Sequence, residues 1–237
     1  MTASVALPTF RELPSFSQEI REALDSLGIG GRCFRLSKGS MVSLHEEGAR
    51  SGLHLLLGGR MKTLRFSADG RVLILDLLDS GEVFGEMALV AEEAAEPTYA
   101  EALEEVEIET FPRFALEGVL NGRSPLALAI ARLIAARQKR LEKRLETQVF
   151  QRVPARLAAL LIELSERFGE PADAARNGTV IDISLSQQDL GNLIGASREI
   201  VSLTLSEFRR RDAVSMLGRR IVVHEAKLRR EAANLNA

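Results

Sequence analysis

The sequence predicts an α+β chain in three parts: an N-terminal β barrel or sandwich, a long helix, and a C-terminal winged helix-turn-helix. Three observations predict it. Residues 32–112 alternate short apolar runs with glycine-containing turns, as small all-β units do. From Ser124-Pro125 to about Gln151 an apolar stripe runs among many Arg, Lys and Glu, with proline just inside the start. Gln187–Arg211 then holds two amphipathic segments broken at Gly195-Ala196.

In chain order, Ser15–Leu27 has the spacing of a short amphipathic helix that packs on the β unit. Met61–Phe66 and Arg71–Leu78 flank Ala68-Asp69-Gly70, a strong hairpin signal. In the long helix, Ile130, Ile134, Leu141 and Leu145 recur at i, i+4, i+11 and i+15 and form one narrow seam. That seam is expected to pair two identical chains. After Arg152-Val153-Pro154, Ala155–Phe168 carries a core-facing stripe, Gly169–Gly178 is expected as loop, and Val180–Leu185 as a short strand. Ala213–Leu217 and Arg219–His224 around Gly218 form the hairpin that turns a helix-turn-helix into a winged helix. The expected division is 1–122, 123–151 and 152–237.

Composition sets bounds on function. The chain has 237 residues, 46% hydrophobic and 27% charged, and a net charge of −2. No apolar run spans a bilayer and no signal-peptide pattern opens the chain, so a cytoplasmic protein without membrane contact is expected. One cysteine, Cys33, precludes an internal disulfide framework, and no metal site is expected. P-loop and nucleophile-elbow motifs are missing, and His45, His54 and His224 stand apart in sequence, which argues against an enzyme. Charge is segregated: ten glutamates and no Lys or Arg lie between Glu82 and Glu109, whereas eight basic residues face four acidic ones from Glu207 onward. Such polarity directs the C-terminal part to phosphates.

Ser197 is placed to cap the second helix of the helix-turn-helix, with Arg198 and Glu199 on its first turn, where such proteins reach base edges. Arginine can fork onto guanine and glutamate can accept from cytosine. Arg219 and Arg220 on the wing suit a phosphate backbone, as do Gln188 and Arg209. A winged helix serving protein contacts remains the competing reading.

The order of parts resembles the bacterial regulators that include the cyclic-AMP receptor protein and the fumarate–nitrate reduction regulator. The likeness rests on Lys38-Gly39, on Asp69-Gly70-Arg71 with Ile74–Leu77, and above all on Ser80–Leu89, SGEVFGEMAL. It continues through Val180–Ile183, Gln188–Gly191 and Gly195–Ser202. It implies a cyclic-nucleotide-binding-like jelly-roll barrel and a homodimeric, sequence-specific regulator on palindromic promoter DNA, with RNA polymerase as a further partner. It implies Ser197, Arg198, Glu199, Ser202 and Leu203 as the base-reading set; Leu203 stands where many relatives carry an arginine.

The resemblance breaks at the effector site. Cyclic-nucleotide binders follow the Gly-Glu by an Arg-Ser pair, arginine on the phosphate and glutamate on the ribose. Here Glu86 matches the glutamate, but the paired positions hold Glu96 and Pro97. A carboxylate repels phosphate and proline lacks an N–H, so Glu86 is expected to shape the barrel instead of binding a cyclic nucleotide. Cys33 alone cannot hold an iron–sulfur cluster. Cys33, His45 and His54 offer haem ligand types without diagnostic spacing, so no cofactor is expected.

Overall fold

A computed structural model describes residues 13–44, 52–90, 97–120, 124–172 and 177–236. The expected positions His45 and Glu96 lie outside them.

Eight strands form two antiparallel four-stranded sheets. The first has the order β1 (Arg32–Leu36), β8 (Val106–Pro112), β3 (Gly52–Gly58), β6 (Val83–Phe84). The second has β2 (Met41–Ser43), β7 (Tyr99–Ala102), β4 (Met61–Phe66), β5 (Val72–Leu78). Leu56, Phe84, Val106 and Ile108 of the first sheet meet Met61, Leu78, Ala100 and Ala102 of the second in one core. The jelly roll is thus a pair of facing sheets and not a closed barrel. Two short helices, α2 (Met87–Val90) and α3 (Arg113–Leu120), follow β6 and β8. The β4–β5 turn closes where Gly70 takes φ 80°.

A bulge shapes the second sheet. Thr63 pairs with Asp76 and Leu64 with Ile74, so Leu75 is the extra residue on β5. Leu75 and Asp76 therefore both line the inner chamber, while Ile74 and Leu77 join a different core. On β4, Thr63 and Arg65 line the chamber, and Leu64 joins that other core.

Gly85 is constrained by close approach. At φ +82°, a Cβ there would lie 2.6 Å from His54 Cδ2 and 2.7 Å from the Gly52 carbonyl. The His54 ring stacks on Phe84, centroids 4.9 Å apart, and its Nδ1 is 2.9 Å from Thr110 Oγ1. Burial pushes this imidazole down from 6.5 to about 4. The unfolded chain therefore takes up a proton as pH falls below 6.5, while the folded chain stays neutral. Folding stability is expected to drop by about 2 kcal/mol between pH 7 and 5. Urea unfolding at both values checks this, with His54→Gln removing that part of the slope; equal slopes would contradict it.

Helix α1 (Leu13–Ser26) packs Ile20, Ala23 and Leu24 against Leu53, Leu55 and Phe111 of the first sheet and Leu126, Ile130 and Leu133 of the long helix. That helix, α4 (Pro125–Phe150), begins with Ser124, whose hydroxyl accepts the Leu126 N–H at 3.2 Å. The expected seam is corrected here. Ile130 is only 5% exposed and sits in its own chain's core with Leu126, Ala129 and Leu133. Ile134 is half-buried on the same cluster. Leu141 and Leu145, the other two members of the expected seam, are exposed.

The C-terminal part comprises α5 (Val153–Arg167), α6 (Gln187–Ile194), α7 (Arg198–Arg210), α8 (Glu225–Asn236) and an antiparallel sheet. Its strand order is β11 (Val214–Leu217), β12 (Arg220–Val223), β10 (Thr179–Ile181), β9 (Gly169–Pro171). Two expectations change. The strand beginning at Val180 ends at Ile181, and Gly169–Pro171 pairs with it instead of looping. Helix α8 was not foreseen: its inward contacts are Leu228 and Ala232, too few to stand out among charges.

This part is docked on the β unit. Leu64, Ile74, Leu77 and Leu103 share one core with Leu157, Leu161, Ile181 and Leu190. Lys62 Nζ lies 2.8 Å from Asp189 Oδ1 and 3.2 Å from Glu101, and Arg60 donates to the Asp182 carbonyl. Burial pushes Lys62 down, but Asp189 and Glu101 outweigh it and hold the ammonium above its usual value.

Candidate nucleic-acid interface and the chamber beside the long helix

Local chemistry builds the helix-turn-helix. Ser186 and Asp189 form a capping box on α6: Ser186 Oγ accepts the Asp189 N–H at 3.1 Å and Asp189 Oδ2 accepts the Ser186 N–H at 2.9 Å. Gly195 ends α6 in the left-handed region, φ 64° and ψ 45°, which a residue with a Cβ resists. Ser197, extended at φ −74° and ψ 155°, caps α7 by accepting from the Ile200 N–H. Val201, Leu205 and Phe208 then lock one face of α7 into the core with Leu190, Leu193 and Ile194 of α6.

The opposite face of α7 is open. Arg198, Glu199, Leu203 and Arg209 are exposed and Ser202 is half-buried beside them. Ser206, which sequence reasoning missed, is exposed one turn after Ser202 and donates to its carbonyl at 2.9 Å; helical spacing was the available signal. The Glu199 carboxyl is held below its usual value by its own backbone N–H and the Ser197 hydroxyl, with Arg198 adding to both. Leu203, 72% exposed, is apolar, as is the exposed Ile200 one turn before it. Gln188 is exposed on α6 and donates to Asn192 at 2.9 Å. On the wing, Arg219 is exposed next to Gly218, whereas Arg220 pairs with Asp182 at 3.0 Å. Of the two wing arginines, Arg220 is thus the one already engaged.

On α4, the exposed residues Leu128, Ala131, Ala135, Gln138, Glu142, Leu145 and Val149 follow one another at alternating spacings of 3 and 4. This is coiled-coil spacing, and it overlaps the expected seam at Leu145. Leu141 is 46% exposed at the border between this stripe and the chamber.

The chamber lies between the second sheet and α4 and has a volume of about 400 Å3. Its floor is a buried ionic network that sequence reasoning did not foresee. Arg137 binds the Glu86 carboxylate and donates to the Val83 carbonyl at 2.6 Å. Arg140 Nη1 is 2.9 Å from both Asp76 oxygens. Arg167 on α5 reaches Asp76 at 3.4 Å, Glu82 at 3.5 Å and the Leu77 carbonyl at 2.6 Å. Burial raises the Asp76 carboxyl, but Arg140, Arg167, Arg144 and Arg137 overcome it and hold the group at about 2. Burial pushes Glu82 upward despite Arg167. Pro97 is exposed. Cys33 is exposed on β1, and His54 is sealed against Phe84 and Thr110.

A cyclic nucleotide-binding domain model matches residues 34–123, and a Crp-like helix-turn-helix domain model matches residues 155–231. The global nitrogen regulator of Synechocystis is 30% identical over 173 residues, covering 73% of this chain and 76% of that protein. The chain belongs to the CRP/FNR family of transcription regulators. Another relative, the CRP-like cAMP-activated global transcriptional regulator of Mycobacterium tuberculosis, is 28% identical over 182 residues, 77% of this chain and 79% of that protein. The fold of this CRP/FNR chain also matches solved structures. A family regulator from Thermus thermophilus superposes with a TM-score of 0.69 at 23% identity, covering 87% of this chain and 100% of that one. FixK2 from Bradyrhizobium japonicum gives 0.70 at 22% identity, covering 87% and 98%. In this CRP/FNR regulator, α6 and α7 are therefore the DNA-binding helix-turn-helix.

Proposed function

We propose that this regulator acts as a homodimer that reads palindromic promoter DNA in the cytoplasm, without enzymatic activity. The observation that carries the reading is the two-sided α7. One face is anchored in the core, while Arg198, Glu199 and Leu203 stand open beside half-buried Ser202, with Ser197 at the cap. Arg209, Arg219 and Gln188 supply backbone contacts, and Arg220 joins them by releasing Asp182. The exposed stripe from Leu128 to Val149 pairs the two chains. On this reading 1–122 is the sensing part, 123–151 the pairing helix and 152–237 the DNA-binding part, and RNA polymerase is the partner through which binding acts. Cyclic AMP does not control it in the usual way, because Arg137 already occupies the Glu86 carboxylate; the regulator works unliganded or answers to another small molecule.

Arg198→Ala is expected to weaken specific binding by about 1–3 kcal/mol and relax preference at one base pair per half-site. Arg219→Ala is expected to weaken all sequences alike and lower the salt slope by about 1. Titration of selected and scrambled duplexes at several salt concentrations checks both. Wild-type affinity and preference in Arg198→Ala would remove α7 as the reading helix. Salt-insensitive binding would favour a protein partner for the winged helix.

A further inference from the structure

We propose that the chamber beside α4 takes a small amphipathic monoanion, an apolar body carrying one carboxylate, and that Arg65 receives the charge. This rests on reading the chain as a regulator with an effector chamber, and it names the ligand class of that chamber. At about 400 Å3 the space is in the range of small-ligand sites.

Four arginines line it, and three are engaged. Arg137 holds Glu86 and Arg140 holds Asp76. Arg144 donates to the Leu75 carbonyl and lies 3.7 Å from Glu163. Arg65 differs. Its Nε donates to Thr98 Oγ1 at 3.0 Å, a neutral acceptor, and no carboxylate pairs with it among the described residues. Among the described residues the lining thus holds four cations against two carboxylates, Asp76 and Glu86, and the cation left without a carboxylate there is the half-buried Arg65. In a partly desolvated chamber that guanidinium favours an anion, and its planar fork matches a carboxylate.

The other walls select the body of the ligand. Leu44, Leu78, Phe84, Met87, Ile134 and Leu141 are apolar. The remaining uncharged polar groups are few: Thr63, Thr98 and Gln138, with Gln138 donating to Glu142 at 3.0 Å. A cyclic nucleotide would bring more ribose and base polar atoms than Thr63, Thr98 and Gln138 can partner, which is costly. An alkyl or aryl chain suits the same wall, and its burial is favourable. The ligand would touch Ile134, Gln138 and Leu141, directly beside the exposed stripe of α4.

The test is isothermal titration of the full-length protein with octanoate, 4-phenylbutyrate, octan-1-ol and cyclic AMP, repeated on Arg65→Gln and Arg65→Lys. The expected result is saturable binding of at least one of the two carboxylates, one per chain and at least tenfold tighter than octan-1-ol. That preference disappears in Arg65→Gln and is retained in Arg65→Lys. Thermal unfolding of each variant verifies that it is folded, and Arg65→Lys keeps the comparison available if the glutamine variant is not. Failure of both carboxylates to bind, equal binding of octanoate and octan-1-ol, or unchanged carboxylate affinity in Arg65→Gln would overturn the assignment. So would cyclic AMP binding more tightly than either carboxylate. Binding of ligand-free wild-type protein to selected duplex DNA is measured alongside. Loss of that binding contradicts the regulator reading, whereas the titrations contradict only the ligand class.

Discussion

Asp76→Ala is expected to destabilise the protein by about 3–5 kcal/mol, the cost of leaving buried charges without their partner. Asp76, Arg140 and Arg167 are 14%, 10% and 9% exposed, so water cannot replace the lost carboxylate. Arg140 comes from the long helix and Arg167 from the first helix of the DNA-binding part, while Asp76 stands on the bulge of β5. One substitution therefore loosens the junction of all three parts. Charge and packing can be separated. Asp76→Asn keeps the shape and is expected to cost nearly as much, with thermal unfolding lowered by roughly 10 °C at about 2–4 °C per kcal/mol. A wild-type midpoint for Asp76→Asn would mean that the network contributes little. Held at about 2, Asp76 stays ionised over the interval in which the unfolded chain's histidine titrates, so the two effects are read independently.

The second large effect is expected from Leu145→Glu. Leu145 is 64% exposed in one chain and lies on the stripe with Glu142 and Val149, so its side chain has no partner within its own chain's core. A carboxylate there would face its copy across a two-fold axis beside Glu142, replacing an apolar contact with like charges. The variant is expected to sediment as a monomer while keeping its folded signature, since no core contact is lost. DNA affinity should fall on the order of a hundredfold, because the second half-site is no longer held at high effective concentration. Wild-type protein at monomeric mass at micromolar concentration, or Leu145→Glu at dimeric mass with full affinity, would contradict the pairing surface.

Local signals carried the reading of the sequence where they were dense. Ser124-Pro125, Gly195 and Ser197 place helix ends, because capping acts within three or four residues. Asp69-Gly70 places the hairpin for the same reason. What was hidden depends on distant partners. Arg137 and Glu86 are 51 residues apart, Arg140 and Asp76 64, and Arg167 and Asp76 91, so no spacing rule connects them. The bulge at Leu75 is equally silent in the pattern, yet it turns Asp76 toward the long helix. Ile130 misled because a helix that touches its own core at one end and solvent at the other carries one apolar stripe for both purposes. Glu86 is bonded to Arg137 of the long helix. Its expected neighbour Glu96 stands outside the described residues, and nothing in the strand pattern distinguishes Arg65 from a surface arginine.

Two copies of α7 are expected to read DNA together. The most direct measurement is selection from a random duplex pool by purified full-length protein, followed by sequencing of the bound fraction. The expected result is enrichment of an inverted repeat whose half-site centres lie about 34–36 Å apart, one helical turn, with affinity falling steeply as salt rises. Enrichment of no sequence, or of a single unrepeated half-site, would contradict it.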